Sequence, residues 1–299
     1  FLDMQRRYRA AWRVASMKKK TYVGIEAGGT KLVCAHGKNP QALQERVRIE
    51  TRTPVETMAE VFDYIESVRQ HFEVEAIGVA SFGPLDLDRR SENYGSITST
   101  PKQEWSNYNI INTLSGPFSM PIGFDTDVNA AALGEQRWGA GVDVDSLLYI
   151  TVGTGIGVGV IVDNQLLHGA MHPEAGHIRI PRIAGDDFQG ICPFHSDCLE
   201  GLASGPAIKA RWQVASALEL TDDHPAWDIQ AQYLAYAVSN YILCYAPQRV
   251  ILGGGVMSQP GLLERIWPRI VECINGYVRH AYVDRIESER LYGNCKKEK

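Results

Sequence analysis

The chain has 299 residues, of which 44% are hydrophobic, and a formal net charge of −5 at pH 7, which predicts a globular chain of two domains at roughly 100–200 residues each. The mildly acidic balance argues against a nucleic acid partner, because such proteins usually present a basic surface. No apolar run reaches the roughly 20 residues that span a bilayer, so we expect no membrane partner.

The first part of the chain predicts one α/β domain behind a short extension. Residues 1–16 are rich in arginine and lack an apolar core, so they do not resemble a secretory signal, and we expect a disordered extension. Apolar periodicity then predicts strands around a glycine turn over 21–37, a helix over 55–72, strands over 76–82 and 121–127, and a helix over 128–139. The first helix should bury Met58, Val61, Phe62, Ile65, Val68 and Phe72. We predict that this domain spans residues 17–133.

The second part of the chain repeats the opening order of elements. Residues 146–167 again predict strand, glycine turn and strand, and residues 172–205 form a loop-rich segment. A helix over 233–246 and a strand with a third glycine turn over 249–258 follow. We predict a C-terminal α/β domain over residues 134–299. The repeated order indicates a duplicated architecture whose glycine turns face a common cleft.

Three glycine turns follow apolar strands and are candidates for binding an anion. We call Gly28-Gly29-Thr30 the first glycine turn, Gly153 to Gly157 the second and Gly253 to Gly255 the third. Each could be only a tight turn that uses the freedom of glycine. Successive backbone N–H groups in such turns also form concave anion sites. None of the three matches a P-loop or a dinucleotide-binding fingerprint, so we predict that together they bind the phosphates of a nucleotide in another way.

Two aspartates, Asp125 and Asp127, stand where a predicted strand passes into a helix. One interpretation is a helix N-cap, a position that Asp serves well. The other is a carboxylate that accepts the proton of an attacking hydroxyl group, as phosphoryl transfer with ATP and Mg²⁺ requires. The residue types alone leave both interpretations open.

A compact set of histidines and cysteines predicts a metal site. We call His177, Cys192, His195 and Cys198 the metal cluster. Two thiolates and two imidazoles suit a tetrahedral, structural zinc ion, with free reduced thiols as the alternative. The other cysteines are too widely spaced for the framework of a small secreted domain, which favours a cytoplasmic protein. Glu174 and Glu200 flank the cluster and are either solvated or placed to bind sugar hydroxyl groups.

These segments resemble the ROK family, which lies within the actin-like ATPase-domain sugar kinases. The resemblance runs from about Thr21 to Met257 and rests on GIEAGGTK, SITSTPKQEW, DTDVNAAALGE, TVGTGIGVG, HPEAGHI and CPFHSDCLEGLASGPAI. The branch that it resembles is the fructokinases, since the glucokinase branch usually has Asp in place of Glu26 and Asn in place of Thr126. It implies two α/β, ribonuclease H-like domains with an interdomain cleft, and ATP-dependent phosphorylation of a free hexose, with fructose preferred.

The resemblance also implies a role for each matching residue. Asp127 would be the catalytic base, and Glu174, His177 and Glu200 would contact the hexose. The metal cluster would hold a structural Zn²⁺, and ATP would bind with Mg²⁺. Nucleotide binding would fall to Gly28, Gly29, Thr30, Lys31, Gly153, Thr154, Gly155, Gly254 and Gly255. The family also implies a homodimer.

The last residues depart from the family pattern, and other functions stay open. Relatives close with a Gly-Asn-rich turn and an apolar helix, whereas residues 285–299 are mostly charged, so we expect the last element to pack differently. The alternatives are a kinase of mannose, glucose or an N-acetylhexosamine, a repressor of the same family, and a sugar-binding protein without catalysis. A repressor would need a DNA-binding domain before the first glycine turn, where about 20 residues stand, and Asp127 disfavours the non-catalytic alternative.

Overall fold

The computed structural model describes residues 18–100, 102–278 and 291–293. It divides into two compact units between Asp127 and Val128. This division lies in the first turn of the helix Asp127–Trp138, and the boundary predicted after residue 133 lies further along that helix. The extension predicted over residues 1–16 lies outside the described residues, and so does most of the charged terminal segment over 285–299.

The first unit contains a five-stranded sheet with the order β3-β2-β1-β4-β5. Its strands are β1 (Lys19–Ala27), β2 (Lys31–Gly37), β3 (Gln44–Glu50), β4 (Phe72–Ser81) and β5 (Ile122–Thr126). Strands β1, β4 and β5 run parallel, while β2 and β3 pair antiparallel beside them. The helices are α1 (Pro54–His71) and α2 (Ile110–Ser115). The predicted strand–turn–strand unit at the start of the domain is therefore confirmed.

The local sequence of helix α1 determines where the helix begins and which of its faces is buried. Thr53 and Glu56 form a reciprocal capping box at its start, and Pro54 occupies the first helical turn, where a missing N–H costs nothing. The predicted apolar face is confirmed, because its members are buried: Met58, Val61, Ile65 and Val68, with Phe62 partly buried. Phe72 was wrongly assigned to the helix. It is the first residue of β4, where the apolar spacing changes from that of a helix to that of a strand.

The second unit contains another five-stranded sheet, with the order β10-β9-β6-β7-β8. Its strands are β6 (Leu147–Val152), β7 (Ile156–Val162), β8 (Gln165–Leu166), β9 (Arg249–Gly253) and β10 (Leu291–Gly293). Its helices are α3 (Asp127–Trp138, begun in the last residue of the first unit), α4 (Leu199–Ala203), α5 (Gly205–Trp212), α6 (Ala226–Tyr245) and α7 (Leu262–Ile274). The repeated strand–turn–strand order predicted for this half is confirmed in β6 and β7.

Strand direction places the predicted motifs at sheet edges. In the first unit, Ala27 pairs with Ser81 and Ser81 with Thr126, so the first glycine turn and Asp127 follow the carboxyl ends of parallel strands. In the second unit, Thr151 of β6 pairs with Gly253 of β9, so the second and third glycine turns leave the same edge. Ligands of α/β sheets bind at this end of the strands. None of the helices in the described part of the chain has the length and apolarity to cross a membrane.

Candidate functional site

The first glycine turn is closed by backbone hydrogen bonds within the first unit. The Gly28 N–H donates to the Lys31 carbonyl oxygen at 3.0 Å, and Thr51 donates its N–H to the Thr30 carbonyl oxygen at 3.0 Å. The Thr51 hydroxyl group donates to the Gly28 carbonyl oxygen at 2.8 Å. A Cβ on Gly28 would lie 2.8 Å from the Lys31 oxygen, whereas one on Gly29 would meet nothing within 4 Å. The turn therefore requires glycine at position 28, whereas the space next to Gly29 is open.

The second and third glycine turns lie against each other in the second unit. Within the second turn the Gly153 N–H donates to the Gly155 carbonyl oxygen at 2.8 Å. A Cβ on Gly153 would lie 4.0 Å from the Gly255 nitrogen of the third turn. Gly254 has a φ of +91°, and a Cβ there would collide with the backbone of Val152. The two turns therefore lie close together, and the close approach of Gly254 to Val152 requires a residue without a side chain.

Asp125 and Asp127 differ in their surroundings at the end of β5. The Asp125 Oδ1 accepts the N–H of its neighbour Thr126 at 2.8 Å, so this carboxylate has a local backbone partner. Asp127 is the first residue of α3 and is exposed. A carboxylate at a helix N-terminus is stabilised in its charged form by the helix dipole. Of the two aspartates, Asp127 is the more exposed.

The metal cluster has the spacing that a tetrahedral metal site requires. Its four ligand atoms all lie within 4.8 Å of one another. The Cys192 sulfur is 3.7 Å from Nδ1 of both His177 and His195, and the Cys198 sulfur is 3.5 Å from the His177 Nδ1. Zinc–ligand bonds of about 2.3 Å to sulfur and 2.0–2.1 Å to nitrogen at tetrahedral angles put S and N about 3.6 Å apart. The donor set therefore fits one zinc ion.

Backbone hydrogen bonds and close backbone contacts stabilise the loop that carries this cluster. Cys192 and Ser196 exchange backbone hydrogen bonds of 3.2 and 2.9 Å. Gly190, with a φ of +83°, and Gly201 both approach the Ser196 carbonyl oxygen so closely that any Cβ would collide with it. Burial raises the pKa of the Cys198 thiol to about 11. A bound cation would offset this penalty and hold the sulfur as a thiolate.

The predicted hexose contacts gather around the metal cluster. His177 points Nδ1 at the two sulfurs, and its Nε2 lies 3.9 Å from the Glu200 Oε1. Glu174 is exposed and immediately precedes the 3₁₀ turn Ala175–His177. The structure thus brings Glu200 to His177, with Glu174 at the start of the same turn.

Sequence reasoning missed two neighbours of these carboxylates. His172 is buried, and its Nδ1 lies 3.5 Å from the Glu174 Oε1. The spacing in His-Pro-Glu was the available signal for this pair. The second neighbour is the backbone N–H of Ile156, which donates to the Glu200 Oε2 at 2.9 Å. No sequence signal reveals that contact, since the two residues are far apart along the chain.

A buried ion pair supports the helix that carries Glu200. The Arg211 guanidinium group pairs with the Asp186 carboxylate, both side chains being 7% exposed. Arg211 also donates to the Leu202 carbonyl oxygen at the end of α4 at 2.9 Å, and the Tyr233 hydroxyl group donates to Asp186. Burial alone would raise the pKa of the Asp186 carboxyl group, but hydrogen bonds from Tyr233 and Arg211 hold that pKa below its usual value. The carboxylate therefore stabilises the fold above its unfolded pKa, and this contribution is lost as the pH falls through the folded pKa.

We expect Arg211→Met to lower the free energy of unfolding by about 3–5 kcal/mol, because it leaves the Asp186 carboxylate buried without its cation. Urea unfolding at pH 7 measures the loss. Arg90→Met is the matched control, since Arg90 pairs with Asp88 on the surface and is 90% exposed, where such pairs contribute little. Equal, small effects of the two substitutions would contradict the role given to Arg211.

Solved structures define the class of protein. The chain matches a ROK hexokinase from Thermus thermophilus with a TM-score of 0.73 at 26% identity, covering 93% of this chain and 94% of that one. It matches a ROK family glucokinase from Streptomyces griseus, solved with glucose and AMPPNP, with a TM-score of 0.68 at 23% identity, covering 87% and 92%. The fold is the actin-like ATPase fold of these sugar kinases.

The family follows from the sequence match. The chain belongs to the ROK family, whose model matches residues 22–293. It is 44% identical over 253 residues to a fructokinase of Pediococcus pentosaceus, covering 85% of this chain and 86% of the relative. The resemblance to the family and its fold is thereby confirmed.

Proposed function

We propose that this protein is an ATP-dependent hexose kinase that prefers fructose and forms fructose 6-phosphate. The observation that carries the proposal is the 44% identity with a named fructokinase over most of both chains. Carboxylates near the metal cluster and glycine turns at the carboxyl ends of parallel strands support a sugar site and a nucleotide site. Cytoplasmic location and a homodimer belong to the same proposal.

Asp127 supplies the proton acceptor in this proposal. A hexose hydroxyl oxygen attacks the γ-phosphorus of ATP, the new O–P bond forms, and the bond from the γ-phosphorus to the β-phosphate oxygen breaks. The hydroxyl proton passes to the Asp127 carboxylate, and ADP leaves. An exposed carboxylate fixed at the start of a helix meets the requirement that the base be positioned in advance.

The remaining residues position the two substrates. The first glycine turn with Lys31, and the second and third glycine turns, would bind the phosphates through backbone N–H groups, while Mg²⁺ bound with ATP would neutralise charge on them. Glu174, His177 and Glu200 would accept hydrogen bonds from hexose hydroxyl groups or donate to them. Zinc in the metal cluster would hold the loop in place as a closed, structural site.

We expect the kcat/KM for phosphorylation by ATP to be highest with fructose in a panel that also contains mannose, glucose and N-acetylglucosamine. The reason is the fructokinase-like TPK and CPFH segments and the identity with a fructokinase. A coupled assay of ADP release measures each constant, and its control omits the sugar to record ATP hydrolysis. A lead of about tenfold for glucose or N-acetylglucosamine would overturn the preference for fructose.

A further inference from the structure

Glu200 uses its two carboxylate oxygens in different directions. Oε2 accepts the backbone N–H of Ile156 at 2.9 Å, and Ile156 directly follows Gly155 of the second glycine turn. Oε1 lies 3.9 Å from the His177 Nε2. The side chain is 25% exposed, so part of it faces solvent. One carboxylate therefore accepts a hydrogen bond from the turn expected to bind phosphates and lies near the histidine expected to contact the hexose.

The absence of a side chain at Gly155 leaves room for this carboxylate. A Cβ on Gly155 would lie 2.6 Å from the Glu200 Oε2 and 3.5 Å from its Cδ. Real Cβ atoms do not approach so closely, so any side chain there would push the carboxylate aside. The obstacle is the end of a flexible side chain and not the backbone, and the protein should therefore still fold. Gly155 thus keeps open the place that the Glu200 carboxylate occupies.

Ile156 also packs against the segment that carries the other hexose contacts. A Cβ on Gly176 would collide with the Ile156 carbonyl oxygen, so the turn between Glu174 and His177 lies directly on this peptide. The Tyr241 hydroxyl group holds the same turn by donating to the Ala175 carbonyl oxygen at 2.6 Å. The N–H of Ile156 therefore contacts the Glu200 side chain, and its carbonyl oxygen contacts the turn that ends at His177.

We propose that Glu200 couples the hexose site to the second glycine turn. Oε2 fixes the turn by accepting the hydrogen bond from the Ile156 N–H. Oε1 accepts a hydrogen bond from a hydroxyl group of the hexose. Gly155 is a positioning residue that acts through Glu200. The inference rests on the proposed function, because it takes the ligand near Glu200 to be a hexose. Because Oε2 of Glu200 binds the Ile156 N–H and the same carboxylate faces the hexose in this proposal, displacing it at the turn should weaken hexose binding, and removing it should weaken nucleotide binding.

The first test compares Gly155 with a glycine that lies outside the three glycine turns. Gly155→Ala should raise the Kd for fructose, measured by calorimetry without nucleotide, roughly tenfold or more, as expected for a displaced charged hydrogen-bond partner. Gly78→Ala is the matched control, because Gly78 lies in β4 of the first unit and an added Cβ there would meet nothing within 4 Å. Its fructose Kd should stay within about twofold of the unsubstituted protein. In a Glu200→Ala background, Gly155→Ala should add no further loss.

The second test runs in the opposite direction and does not depend on a sugar. Glu200→Ala should raise the Kd for MgADP at least about threefold, since the Ile156 N–H loses its acceptor. An unchanged MgADP affinity, or normal fructose affinity in a well-folded Gly155→Ala variant, would overturn the coupling. If the unsubstituted protein phosphorylated none of the hexoses, the proposed function would fail, while the MgADP measurement would still decide whether Glu200 supports the turn.

Discussion

Asp127→Asn is expected to abolish turnover while ATP and fructose still bind. The carboxamide has nearly the same shape and still forms hydrogen bonds with a sugar hydroxyl group, so binding should weaken only modestly. It does not accept the proton that leaves as the hydroxyl oxygen attacks phosphorus. General base catalysis contributes on the order of 10²–10⁴ in rate, so kcat should fall by at least the lower figure. Single-turnover rate, fructose affinity and melting temperature are measured together.

Two comparisons make this prediction specific. If Asp127 only capped helix α3, Asn would serve about as well, and both stability and kcat would be nearly unchanged. Asp125→Asn is the neighbouring control, because an amide oxygen can also accept the Thr126 N–H that Asp125 Oδ1 binds at 2.8 Å. A variant at position 127 that melts normally and keeps more than about a tenth of kcat would show that another group is the base.

The second large effect is expected from the metal cluster. We predict one equivalent of zinc per chain, bound by His177, Cys192, His195 and Cys198, in protein washed with a weak chelator. Cys192→Ser should lose the metal and lower the melting temperature, because structural zinc contributes directly to folding. Fructose binding should suffer more than MgADP binding, since Cys192 lies in the loop that leads into the helix of Glu200.

Metal analysis by mass spectrometry, calorimetry and thermal melting check this prediction. Cys244→Ser is the matched control, because Cys244 is exposed on α6 and is not one of the four cluster residues. It should leave the zinc content and the melting temperature unchanged. Less than half an equivalent of zinc in fully active protein would rule out a structural role for the metal.

Local rules predicted the parts of this structure that depend on neighbours in sequence. The spacing of Met58, Val61 and Ile65 predicted the inner face of α1, where all three residues are buried. Strand–glycine–strand order was enough to find both hairpins, because apolar runs and glycine fix strands and turns locally. The sequence also grouped the four residues of the metal cluster, and their side-chain N and S atoms do lie within 4.8 Å of one another.

Other features depend on contacts that no local pattern encodes. Gly155 was predicted to serve a phosphate, yet its lack of a side chain also makes room for Glu200. The Arg211 and Asp186 pair joins two residues 25 positions apart and buries both charges. Which charged residues are buried is decided by tertiary packing, and charge patterns along the sequence do not reveal it. Tertiary packing also decides where α1 ends, because Phe72 is the first residue of β4 and pairs within the sheet.

The crowded backbone around Ser196 limits how the loop that carries the metal cluster could be redesigned. Gly190 and Gly201 both pack against the Ser196 carbonyl oxygen. A side chain at either position would collide with that oxygen. Transplanting only the Cys192–Cys198 stretch between homologous scaffolds would separate that oxygen from the two glycines that accommodate it. A graft intended to move sugar preference from one scaffold to another would therefore have to carry residues 190–201 as a single cassette.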